Sequence, residues 1–377
     1  MTEKKRMIRW PFVLSMAFAM VAYYIGASTG TGQEFFQSYA THGRMGVIGV
    51  IIQQIAIGIL CFIVIWSCKN YNLTTSKEFF IWFLGKTIGT IIYYYVAAFV
   101  FATLLQLISG TGAIINQFYG IPTYVGSIGL SILLMITMLL GFERLIDVIS
   151  KIAPFILVVM ILVAIGGLIN STDGFVQGSE LALASQEVFR TSDNWVISTI
   201  LHHSYLILFF IPYFVSTYTV DTKATNSETL LWIILSYALL IVLTGLMVAA
   251  QVANFSITAG TQAPNVAIAE AHTPILAPFL VFMIAAASYT TTAPIALIAA
   301  DYFAEPGTIK HKISGIAIIL IGLIVSFFGA YDQIINLLIS ISGRIGLGVY
   351  GFAIVYRIYV IAKNSKNNKM TERAKTN

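Results

Sequence analysis
Apolar stretches of about 20 residues or more recur from one end of this chain to the other. Each is long enough, as a helix rising 1.5 Å per residue, to cross a hydrocarbon core about 30 Å thick. Of the 377 residues, 58% are hydrophobic and 10% charged, and the mean hydropathy is +0.86. Water is not the main solvent of such a chain, and no segment is left over to form a soluble domain. The first apolar stretch continues past Tyr24 into a glycine-rich break rather than ending at a small-residue cleavage site. It therefore reads as a permanent span and not as a removable leader.

The expected spans are 10–40 (interrupted), 45–67, 82–109, 122–142, 145–169, 195–219, 229–253, 275–301, 313–330 and 333–362. The net charge of +5 does not point to nucleic acid, because the basic residues sit in short loops and tails rather than in one stripe. They report orientation instead. With the N-terminus (Lys4, Lys5, Arg6, Arg9) on the cytoplasmic side, only Arg44 and Arg190 of the 21 Lys and Arg fall outside, while Lys86 and Arg344 lie within spans. Lys363, Lys366, Lys369, Arg373 and Lys375 then also fall inside, as an even number of spans requires. These charges predict a multi-pass protein of the cell membrane with both termini cytoplasmic. Cys61 and Cys68 lie seven residues apart on one helix face and read as ordinary apolar-face cysteines. Metal binding would need more ligands than this pair supplies.

Two external segments stand out. Residues 170–194 contain Asp173, Glu180, Glu187 and Asp193 against Arg190 and read as an acidic loop. Residues 256–274 are too polar to span and too apolar for a solvated loop, so a short helix over an external vestibule is expected.

Two spans carry polar groups at depth. In the first, Gly26-Ala27-Ser28-Thr29-Gly30-Thr31-Gly32-Gln33-Glu34 places three glycines, several hydroxyls and a carboxylate mid-membrane. Glycine costs about 1 kcal/mol in a helix interior, and unwound backbone at this depth belongs where it lines a cavity or is buried in protein. Close helix packing through Gly26-x-x-x-Gly30 fits the same residues, but Gln33 and Glu34 add polar cost that packing does not explain. The second, residues 195–219, carries His202, His203, Ser204 and Tyr205, with Pro212 beyond them. Spans one and six correspond if the chain is two five-span halves, about 10–169 and 195–362, followed by a tail at 363–377. Matching interruptions in inverted repeats are the pattern of a secondary transporter's binding site.

The stretch GASTGTGQE resembles the glycine-rich first span of the YkvI-like amino-acid permeases. These belong to the amino acid, polyamine and organocation transporter superfamily, which has the leucine-transporter fold. Gly141-Phe142-Glu143-Arg144 with Lys151-Ile152-Ala153-Pro154 resembles the start of the fifth span in sodium symporters of that fold, and Ala287-Ser288-Tyr289-Thr290-Thr291 resembles a sodium-ligand element of the eighth. The resemblance implies an all-α integral membrane protein of about ten transmembrane helices, in a 5+5 inverted repeat with the first and sixth broken. It also implies a sodium site formed by the carbonyls of Gly26, Thr29 and Ala287 and the hydroxyls of Thr290 and Thr291. Bending of the helix by Thr290 and Thr291, each bonded to a carbonyl one turn back, accounts for the same residues.

Free amides at Gly30, Thr31 and Gly32, beside Ser28 and Gln33, suit a carboxylate. The resemblance adds Tyr94, Ser204, Tyr205 and Phe209 as facing walls, with Tyr93 and Tyr95 as neighbours that a small rotation would substitute, and of the adjacent histidines His203 is the one expected to line the pocket. Glu34 and Arg344, both ionisable at mid-depth, are functional candidates by cost alone, and a pairing across the external pathway is the gating arrangement they suggest. The adjacent His202 and His203 point about 100° apart and cannot easily share a metal, but a proton at His203 or Glu34 competes with sodium as the coupling ion. The expected function is secondary active transport of a small amino acid or related zwitterion or cation. No phosphate-binding loop or HExxH is present, so an intramembrane enzyme is the weaker reading, and no cofactor beyond an ion is called for.

Overall fold
The computed structural model describes residues 7–327 and 341–360. The expected tail at 363–377 and the start of the tenth span lie outside the described residues. Those described are helical apart from turns and caps. Helix α1 spans Trp10–Tyr24, α2 Ala27–Thr31 and α3 Gln33–Ser38, followed by a 3-10 turn at Ala40–His42. Then come α4 (Arg44–Tyr71), α5 (Ser76–Leu84), α6 (Lys86–Tyr119), α7 (Thr123–Leu140), α8 (Phe142–Ile169) and α9 (Phe175–Ala184). The second half contains α10 (Trp195–Val220), α11 (Asn226–Ala253), α12 (Phe255–Thr258), α13 (Pro264–His272), α14 (Ala277–Asp301), α15 (Ile309–Ser326) and α16 (341–360). Among the described residues, eight helices are long and apolar enough to cross a membrane, and α1 is a shorter apolar one.

Local chemistry sets many of the boundaries. Thr75 and Thr225 each accept a hydrogen bond from the amide of a glutamate three residues on, whose carboxylate reaches back, giving complete capping boxes for α5 and α11. Asn194 caps α10 and Thr308 caps α15. Gly85, at φ +81°, turns the chain between α5 and α6, so the third span begins after a separate helix that the sequence reading had run into it. The acidic segment at 170–194 likewise holds a helix, α9. The segment at 256–274 is helical as expected, in two pieces.

The sixth span corrects its expectation, because α10 is continuous from Trp195 to Val220. The first span contains Gly26, Gly30 and Gly32, and Gly32 takes φ +85° where the chain turns between α2 and α3. Residues 195–220 contain no glycine, so this helix lacks the residue that adopts such backbone freely. Near Pro212, the Phe209 carbonyl receives the Tyr23 hydroxyl at 3.1 Å. The Tyr23 ring stacks on that of Tyr213 at 3.7 Å between centroids.

The core forms where α1 packs on α8, α11 and α14, and α4 packs on α10 and α11. One end of the bundle, where α1 begins, collects Arg9, Lys69, Lys77, Arg144 and Lys223, and is called the basic end here. Arg9 ties α1 there to the α10–α11 turn, bonding Glu228 through Nε (2.8 Å) and Nη2 (3.0 Å) and pairing with Asp221.

Candidate functional site
The break after α1 is a problem in backbone accounting. The last four carbonyls of a helix lack partners within it, and at the end of α1 each finds one elsewhere. Val21 receives the Ile25 amide, and Tyr24 receives the Gly26 amide and the Thr29 hydroxyl. Ala22 receives the Thr290 hydroxyl at 2.8 Å and Tyr23 the Thr291 hydroxyl at 2.9 Å, both from α14. The proposed ion ligands Thr290 and Thr291 therefore meet α1 one turn earlier than expected. The Gly26 carbonyl is instead bonded by the Gly30 amide, and that of Thr29 by the Gly32 amide and Asn265. Thr290 also donates to Ala287, the third expected carbonyl, at 3.0 Å.

Asn265 of α13 donates to the carbonyl of Gly30, and Gln251 of α11 to those of Gly32 and the Asn265 side chain. The expected anion cradle is thereby corrected, since the amides of Gly30 and Gly32 are spent within α2 and its cap. The Thr31 hydroxyl bonds the Ser28 carbonyl.

Beside the break lies a narrow cavity of about 30 Å³. The break contributes Tyr24, Gly26, Ser28, Thr29 and Glu34; α6 contributes Thr103, Gln106 and Leu107; α10 contributes Tyr205, Leu206 and Phe209; and α14 contributes Thr291 and Ile295. Of the expected substrate contacts, Ser28, Tyr205 and Phe209 line it. Gln33 opens instead on a separate outer chamber with Phe36, Gln37 and Gln262.

Tyr94 is 61% exposed on the outside of α6. It precedes Thr103 by nine residues, and at about 100° per residue that places it half a turn from the cavity face. Its neighbours Tyr93 and Tyr95 pack on Tyr302 and bond Ser342, respectively. His203 also points away, with its Nε2 2.8 Å from the Tyr350 hydroxyl and its ring stacked on that of Tyr350. Ser204 is buried, and its backbone faces Gly346 of α16.

Glu34 does not meet Arg344. Its Oε1 lies 2.6 Å from Nε2 of His202, and its Oε2 accepts the Ser28 hydroxyl at 2.7 Å. Nδ1 of His202 lies 2.8 Å from the Tyr39 hydroxyl. His202 and Tyr39 are fully buried and Glu34 nearly so. Arg344 is exposed on α16, whose Gly343 and Gly346 face α10. Sequence reasoning placed His203 rather than His202 in the site and missed Tyr39, Gln106, Gln251 and Asn265. Each is a polar residue in an apolar stretch, and that cost was the only available signal.

No family model matches the chain. YkvI, an uncharacterised membrane protein of Bacillus subtilis (strain 168), is 24% identical over 188 residues, which is 49% of this chain and 51% of the relative. The match thus spans about half of each. Three solved structures are similar over most of the chain. A Na+-coupled sialic acid symporter aligns with a TM-score of 0.65 at 16% identity, over 91% of this chain and 78% of its own. MhsT, solved with L-phenylalanine, gives 0.60 at 15%, over 89% and 87%. Mhp1, a nucleobase-cation-symport-1 family transporter solved with bromovinylhydantoin, gives 0.58 at 16%, over 87% and 74%. At these identities the likeness is one of architecture, and it shows that this membrane protein has the all-α leucine-transporter fold, with its first span broken at Gly26 to Gly32.

Proposed function
We propose that the protein is a secondary active carrier of a small amine-bearing solute, an amino acid or related organic cation, which it moves across the cell membrane by alternating access with both termini cytoplasmic. The observation that carries this reading is the chemistry of the cavity at the break. Among the described residues, Glu34 is the charged side chain lining it and no Lys or Arg joins it there, while His202 lies behind Glu34 rather than on the lining. Gln106 adds a buried Oε1 without a hydrogen-bond partner among the described residues. A buried acceptor left unmet costs about 1–3 kcal/mol, and an ammonium group satisfies acceptors of this kind. Tyr205 and Phe209 give the solute's apolar part a surface. The fold shared with three transporters supports the same reading, as does a site built from broken helix near mid-span.

The test is thermal stability of the purified protein against amino acids and small amines, because a ligand that binds the folded state alone raises the apparent midpoint by mass action. Stabilisation by amine-bearing solutes that is lost in Glu34→Gln supports the reading. Uptake of the same solute into proteoliposomes completes it.

Sodium is a second reading for the coupling ion. The carbonyls of Ala22, Tyr23 and Ala287 and the hydroxyls of Thr290 and Thr291 converge at one corner, and oxygen ligands of this type suit a hard cation. Sodium there would take the lone pairs of hydroxyls that now donate to the carbonyls. This reading expects solute stabilisation to need sodium and Thr291→Ala to lose that sodium-dependent stabilisation. The alteration also removes a donor from the Tyr23 carbonyl, at about 1–3 kcal/mol.

A further inference from the structure
The wall of the cavity contains an acid–base chain whose hydrogen bonds can be met in two charge states. Two acceptors do not approach to 2.6 Å without a proton between them, so one proton lies between Glu34 and His202 Nε2. With no other proton on the ring, His202 is neutral, its Nδ1 accepts from the Tyr39 hydroxyl, and the group carries the single negative charge of Glu34. With a second proton, Nδ1 donates to the Tyr39 oxygen at the same 2.8 Å, and the group is neutral overall. A hydroxyl both donates and accepts, so rotation of one O–H is the only change Tyr39 needs. Ser28 holds the other carboxylate oxygen in place in both states.

The surroundings leave this charge to the cavity. Among the described residues, the titratable groups around the chain are Tyr24 from α1, Tyr205 from α10 and the adjacent His203, whose Nε2 is engaged with Tyr350. The α6 helix brings the uncharged Gln106, and α4 brings Gln53, bonded to Tyr24. A buried charge is costly unless paired. A cationic amine entering beside Glu34 matches the singly negative state and leaves the neutral state with an uncompensated positive charge.

We propose that Glu34, His202 and Tyr39 form a proton-exchange site that gives up one proton for each organic amine taken into the cavity, so that the protein exchanges an amine for a proton. The inference rests on the carrier reading above. The amine enters as R–NH3+, the proton on His202 Nδ1 leaves to the water that admits the solute, and charge balances one for one. A zwitterionic amino acid brings its own carboxylate and displaces no proton.

The experiment uses the purified full-length protein in sodium-free buffer. Binding of isobutylamine, ethanolamine and putrescine is measured by titration calorimetry between pH 6 and 8, in buffers of different ionisation enthalpy, beside the zwitterions valine and serine. Aliphatic amines stay protonated in this range, as the lysine value of about 10.4 indicates. Release of one proton makes the affinity for the monoamines rise by up to tenfold per pH unit, while valine and serine binding stays flat.

His202→Gln, which keeps an amide donor toward Glu34, is expected to bind the monoamines without proton release or pH dependence, and Glu34→Gln to lose them. If His202→Gln does not fold, Tyr39→Phe serves instead, because losing the reversible partner shifts the midpoint of the affinity-versus-pH curve. Monoamine binding without proton release in the wild type, or release that persists in His202→Gln, overturns the exchange and leaves the carrier intact. Binding of the zwitterions alone does the same. Absence of binding and uptake for all five probes overturns the carrier reading with it.

Discussion
A methyl group at Gly32 has no room. The residue sits at φ +85°, and a Cβ there would lie 2.3 Å from Gln251 Nε2 and 2.6 Å from Asn265. Gly32→Ala therefore combines backbone strain with displacement of the amides that hold the break, and a loss of about 2–4 kcal/mol is expected, read as a lower unfolding midpoint. Gly129→Ala, inside α7 where a Cβ would meet nothing within 4 Å, is the control that does not lower the midpoint and raises stability by up to about 1 kcal/mol of helix propensity. His42, in the turn before α4, makes a pH prediction. Burial, then the charge of Arg190, push it down to about 4 against the pull of Asp193. The unfolded chain takes a proton near pH 6.5 that the folded protein refuses, so this contribution to stability is complete above about 6.5 and is lost as the pH falls toward 4. Midpoints measured across that window should fall with acidification, and less steeply in His42→Phe. How far such residues were legible differs by kind. The cost of Glu34 and His202 in apolar sequence marked both spans, but their partnership crosses 168 residues, and adjacent histidines give no sign of which one faces inward. Tyr94 was misplaced by helix phase, which becomes readable once Thr103 and Gln106 fix the cavity side of α6.

Among the elements, α1 and α10 teach opposite lessons. Polar residues at depth were taken to interrupt both spans. Only the first has glycines at the break; in the other the side chains find partners across the bundle while the helix stays whole. The threonine pair of α14 looked like an ion-ligand element, and its hydroxyls close the end of α1. Span positions followed from apolar length, whereas the separate helices α5 and α9 were hidden because short amphipathic helices leave little trace beside long apolar runs. The basic end offers a prediction for α1 as a unit. Glu228 has a side chain 1% exposed, and Arg9 is its cationic partner. Arg9→Ala should destabilise the packing of α1 by about 1–3 kcal/mol, between exposed and fully buried pairs. Faster hydrogen exchange over residues 10–24, with α6 unchanged, is the expected readout, and equal exchange in both proteins counts against a tethering role.

For the whole molecule, burial of Cys61 and Cys68, the two cysteines of the chain, provides an intrinsic reporter. Both sit on the packed face of α4, so a thiol-reactive dye should label the folded protein slowly and the unfolded protein at two sites. Rapid labelling of native protein at either site would contradict the packing of α4 on α10 and α11. The two ends of the bundle are fastened by different chemistry. At the basic end α1 is held to the α10–α11 turn by charges, and past the break Gln251 and Asn265 hold the chain through uncharged amides. Dissolved ions weaken the first kind of clasp and leave the second nearly untouched. Ionic strength alone thus becomes a lever on which mouth of the bundle yields first, without any solute or altered residue.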